Sequence, residues 1–125
     1  MSEQNTGANI TLQINEDDFD DGVQYYSYTF TLEVEGNIAE VSLQDISMIK
    51  LDQWIAFENA VNNNEESILT FCQSNGEVTL STKDGKTTFI VSKYGDSGDG
   101  IMKLIARNGL IRHAVHELVQ HLKKI

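Results

Sequence analysis

Proline is absent from the 125 residues, and no low-complexity linker interrupts them after the first seven or so. Nothing marks a domain boundary, and the length suits a single domain. There is one cysteine, Cys72, which excludes an internal disulfide and any zinc or iron–sulfur site built from several cysteines. Apolar runs last only a few residues, too short to span a bilayer as a helix. The polar start, Met1 to Gly7, has neither the basic nor the apolar region of a secretory signal. These absences lead us to expect a cytoplasmic globular protein with residues 1–7 as a disordered tail and 8–125 as one domain.

Bases are also scarce: nine against 19 acids, for a net charge of −10. The imbalance is uneven. Residues 1–66 carry 14 acids and a single base, Lys50, while residues 67–125 carry five acids and eight bases. An acidic half of this kind repels nucleic acid and anionic membranes and attracts basic proteins.

What is present is period-2 alternation. Ile10, Leu12 and Ile14 share one parity, as do Tyr26, Tyr28, Phe30, Leu32 and Val34, then Ala39, Val41 and Leu43. Leu69 with Phe71, Val78 with Leu80, and Phe89 with Val91 repeat it. Such runs are strands with one buried and one wet face. Gly36-Asn37, Asn75-Gly76 and Asp84-Gly85 are the expected two-residue turns. Short connections make neighbours antiparallel. Residues 101–107 read as a further strand pairing with 86–93, because Asn108-Gly109 is poor helix interior.

Two segments follow helical spacing instead. Leu51, Trp54, Ile55, Glu58 and Val61 predict a helix over about 51–62, with Asp52 as N-cap and Asn62 to Asn64 as its stop. Ile111, Val115, Leu118, Leu122 and Ile125, flanked by Ala114 and Val119, predict one over 109–125 with Asn108 as cap. The expected fold is therefore α+β: an antiparallel meander sheet of six or seven strands, two helices, and the C-terminal helix packed on the sheet. Two strand-rich lobes each precede a helix, but their residues do not match well enough to make a repeat.

Chemistry-bearing motifs are few. His116-Glu117 followed by His121 misses the metalloprotease spacing by one residue. His113, Glu117 and His121 do form a row at i, i+4 and i+8, but a single row seldom supplies enough convergent ligands. The acidic run Glu16 to Gly22 fails as an EF-hand because Phe19 falls on a ligand position and the last bidentate glutamate is missing. Cys72 has no nearby histidine and reads as a small buried hydrophobe. No nucleophile elbow, phosphate loop or dinucleotide fingerprint occurs.

The expectation is a non-enzymatic binding module without cofactor or catalytic metal. Its contact surface for a basic protein partner is Asp17, Asp18, Asp20 and Asp21 with Tyr25 beside them as an aromatic anchor. Carboxylates standing in for phosphates could make it a nucleic-acid mimic, with no direct nucleic-acid or membrane binding. The alternative is a structural protein that forms homo-oligomers through open edge strands and its oppositely charged halves.

Overall fold

A computed structural model of the chain describes residues 8–18, 24–44, 46, 49–73 and 76–124, and for 17, 18, 24, 25 and 73 the backbone alone. Its strands are β1 (Ala8–Asp18), β2 (Gln24–Val34), β3 (Asn37–Leu43), β4 (Ser67–Gln73), β5 (Gly76–Lys83), β6 (Lys86–Gly95) and β7 (Gly98–Arg107). Helix α1 (Leu51–Asn63) lies between β3 and β4, and α2 (Asn108–Lys124) follows β7.

The strands do not form the one continuous meander that alternation suggested. They make two antiparallel sheets, β1-β2-β3 and β4-β5-β6-β7, each a meander in itself. Covering area accounts for the split. At ~4.8 Å per strand, seven strands in one flat sheet would be roughly 34 Å wide. Two helices, each about 10 Å across, cover only part of such a face. In two sheets the apolar faces help to cover each other, and Phe30 of β2 meets Phe89 of β6 with ring centroids 5.0 Å apart.

The registers turn alternation into rows. Leu12, Phe30 and Val41 lie side by side across the first sheet, as do Ile14, Tyr28 and Leu43. Leu69, Leu80, Phe89 and Leu104 cross the second, next to Phe71, Val78, Val91 and Met102. Residues 101–107 are strand, as their punctuation implied. Their hairpin with β6 is tighter than expected, because Gly95 pairs with Gly98 and leaves only Asp96 and Ser97 as the turn.

One turn sits one residue earlier than the sequence suggested. Glu35 and Gly36, at φ 50° and 86°, form it, and Asn37 already belongs to β3. Gly76 opens β5 opposite Gln73 rather than standing in a turn, and residues 74 and 75 lie outside the described residues. A Cβ on Gly76 would run into the Ser92 carbonyl oxygen of the neighbouring strand. Asp84 and Gly85, at φ 52° and 78°, take positive φ at both centres, as the type I′ reading requires.

Helix α1 buries Trp54, Phe57, Ala60 and Val61, packing on α2, β4 and β5. Its N-cap is Lys50 rather than Asp52, which lies inside the first turn. The Lys50 N–H donates to Gln53 Oε1 at 3.1 Å, supplying the reciprocal half of a capping box. Asn64 ends the helix in the left-handed conformation at φ 55°. Helix α2 buries Ile111, Ala114, Val115, Leu118 and Val119 against β1, β6, β7 and α1, with Leu122 half-buried. Ile125 lies outside the described residues.

Asn108 opens α2 as its expected role at the helix start requires, and it is buried. It is 1% exposed and acts as a polar node beneath the β5–β6 turn. Its N–H donates to the Gly85 carbonyl at 2.8 Å, and Thr87 Oγ1 donates to its Oδ1 at 2.7 Å. Its Nδ2 donates to Thr82 Oγ1 at 3.1 Å and to Asn64 Oδ1 at 3.4 Å. One side chain thus ties the start of α2 to the second sheet and to the end of α1.

Candidate partner-binding surface

Strands β1 and β2 each have 11 residues, whereas β3 has seven and pairs only with Tyr28 to Val34. The β1–β2 hairpin therefore outruns the sheet as a two-stranded ribbon from Asn15–Ser27 to Asp18–Gln24. The acidic run falls at its end. Asp17 pairs with Tyr25 and Asp18 with Gln24, so the register puts the predicted aromatic anchor directly opposite a predicted acid. The side chains of Asp17, Asp18 and Tyr25, and the whole of Asp20 and Asp21, lie outside the described residues.

Helix α2 braces the root of the ribbon. His121 stands edge-on to Tyr26, centroids 4.7 Å apart, and its Nδ1 lies 2.8 Å from the Tyr28 hydroxyl. Burial, reinforced by the neighbouring Tyr26, pushes the Tyr28 hydroxyl up to about 12. Tyr28 therefore keeps its proton near neutral pH, and its hydroxyl shares a hydrogen bond with His121 Nδ1. A phenol held this firmly protonated is a hydrogen-bonding strut and a poor base. Spacing alone did not expose this contact, because Tyr28 and His121 are 93 residues apart.

The histidine row separates in three dimensions. His113 Nε2 lies 3.5 Å from Glu117 Oε1, while His121 turns away to the tyrosines. His116 points elsewhere, with its Nδ1 2.7 Å from Glu58 Oε2 on α1. Among the described residues no group of three His, Cys, Asp or Glu side chains is placed to hold a metal ion. Cys72 is exposed rather than buried, because its parity puts it on the outer face of the second sheet.

That outer face was not anticipated. Ile68, Ile101 and Ile105 are 64%, 77% and 51% exposed there, among threonines and serines. Lys83, Lys86 and Arg107 share a row on the same face. The outer face of the first sheet has the opposite character, with Glu33 and Glu40 exposed on it and Glu35 at its turn.

Two grooves are open between the sheets. One, of about 540 Å³, runs between the edges of β3 and β7 and holds one charge of each sign, Glu40 and Lys93. The other, of about 880 Å³, lies at the opposite end, between Ala8, Leu32 and Val34 of the first sheet and the junction of β7 with α2. Among the described residues no helix is long and apolar enough to cross a membrane.

Residues 32–108 match a family of unknown function, DUF5766, and the chain belongs to that family. No curated protein and no solved structure matches the chain.

Proposed function

We propose that this member of the family is a small, non-catalytic interaction module that engages a basic protein through the acidic end of the β1–β2 ribbon. The observation that carries the reading is the register. Asp17 faces Tyr25 on the last rungs of a hairpin that extends past β3. A ribbon end with carboxylates and a tyrosine offers charge for long-range steering and an aromatic side chain for contact area. Each exposed ion pair is worth about 0–1 kcal/mol, so several acids must act together with the anchor. The His121–Tyr28 strut supports the reading, because a braced ribbon loses less conformational freedom on binding. Substitution by carboxylates for phosphates, as in a nucleic-acid mimic, is one form this partnership takes.

The test replaces Asp17, Asp18, Asp20 and Asp21 together by Asn. Partners captured in parallel by the wild type and this variant are compared, and association rates are measured over a range of salt. We expect slower association and a flatter salt dependence with unchanged circular dichroism. Equal rates and salt slopes would refute the acidic surface.

Self-association is a second reading, favoured by the exposed isoleucines of the outer face of the second sheet and the Lys83–Lys86–Arg107 row. That basic face and the Glu33–Glu40 face of the first sheet are complementary, and such a heterologous contact builds rings or filaments. Sedimentation of the purified chain at rising concentration separates the two, since only self-association raises its mass with its own concentration.

A further inference from the structure

The chain has only two arginines, Arg107 and Arg112, and both line the 880 Å³ groove at the β7–α2 junction. Among the described residues no acid lines it. In a protein of charge −10 this is a local reversal of sign, extended by Lys86, which pairs with Arg107 across the sheet. Arg107 is exposed and has no ion pair with any described residue. Arg112 places one Nη 3.4 Å from both the Asn62 carbonyl and Asn64 Oδ1, which orients the group and leaves other N–H donors free.

The rest of the groove is mainly apolar, with Leu32, Val34, Ile105 and Leu110 as its walls. Val34 and Ile105 are exposed, Ile105 as an outer-face residue of the edge strand β7 that also borders the groove. The first turn of α2 borders the groove, contains no acid, and is left uncovered at Gly109, where a Cβ would meet nothing within 4 Å. A mainly apolar cleft of this volume with a few polar groups has the make-up of a small-molecule site.

We propose that this groove binds a medium-chain carboxylate. The head is held by the guanidinium groups of Arg107 and Arg112, and the hydrocarbon lies along Leu32, Val34, Ile105 and Leu110. A guanidinium fork pairs with two oxygens of a carboxylate or of a phosphate, so the choice of a carboxylate rests on the donors left. With one Arg112 nitrogen already engaged, fewer donors remain for the extra oxygens of a phosphate. The site is separate from the acidic ribbon end. Ala8 lines the groove and Asp18 ends the same strand ten residues on, roughly 33 Å away at ~3.3 Å per residue.

The probe is decanoate, titrated below its aggregation concentration and followed by calorimetry and by backbone amide shifts. We expect saturable binding with the largest shifts at Arg107, Gly109 and Leu110. Decanol should bind at least about ten-fold more weakly, since it keeps the chain and loses the charge. Arg107→Gln should weaken decanoate by a similar factor without altering circular dichroism. Absence of binding, shifts centred elsewhere, equal affinity for decanol, or an unaffected Arg107→Gln would each overturn the proposal. Tighter binding of decyl phosphate than of decanoate would overturn the carboxylate assignment.

Discussion

Replacing Asn108 by Ala tests whether a single polar side chain holds the second sheet and the two helices together. The substitution removes the acceptor of the Thr87 hydroxyl, at 2.7 Å, and the donor to Thr82 Oγ1, at 3.1 Å. Thr82 and Thr87 are both 0% exposed, so water does not reach them without local opening. A buried polar group left without a partner costs about 1–3 kcal/mol. Thr82 and Thr87 are cross-strand partners, and their hydroxyls can turn toward each other, which offsets part of that cost. The expected loss is therefore about 2–4 kcal/mol, a large share of the ~5–15 kcal/mol that holds a typical domain together. The only tryptophan, Trp54, is 1% exposed, so its fluorescence reports urea unfolding of the shared core. Adding Thr82→Val and Thr87→Val to Asn108→Ala removes the stranded hydroxyls and should recover much of the loss, because deleting both sides of a buried pair is far milder than deleting one. A single variant that loses under about 1 kcal/mol, or a triple variant no better than the single, would refute the reasoning.

Two further perturbations follow from the core and the strut. Leu118 is 0% exposed, and Leu118→Ala should cost roughly 2–5 kcal/mol in the same urea assay; a loss below about half a kcal/mol would remove α2 from the core. The Tyr28 hydroxyl is raised from 10.0 to about 12 in the folded protein, so the folded state holds this proton more tightly than the unfolded chain. Its stabilisation is complete below pH 10 and is lost as pH rises through about 12. Tyr28→Phe should therefore show a shallower alkaline fall in stability over that window, and identical slopes would deny the burial of the hydroxyl.

Much of the secondary structure was legible because each strand's information is local. Tyr28, Phe30 and Leu32 face the core by parity alone, and the stripe from Ile111 to Leu122 faces it by helical spacing. Asp84-Gly85 named its own turn because the backbone there needs positive φ. The gaps sit where a residue's role depends on what arrives from elsewhere in the chain. Asn108 opens α2 as expected, yet it is also buried because Thr82, Thr87 and Asn64 converge on it. Asp52 is a good N-cap residue, but Gln53 receives the Lys50 N–H and starts the helix earlier. Of the candidate site, the juxtaposition of acids with Tyr25 followed from hairpin logic, whereas the brace from His121 did not.

The sequence by itself determined which residues are strand or helix, which face of each is apolar, and that the acids concentrate in the first half of the chain. Those properties depend on side-chain parity, turn chemistry and composition, all of them local. Only the tertiary structure decided that the strands divide into two sheets, that His113 and His121 part company, and that Arg107 and Arg112 open onto one groove. Alternation says that a face must be buried, not which face buries it. That partner is chosen by covering area and packing summed over the whole chain, with Phe30 meeting Phe89 across 59 residues of sequence.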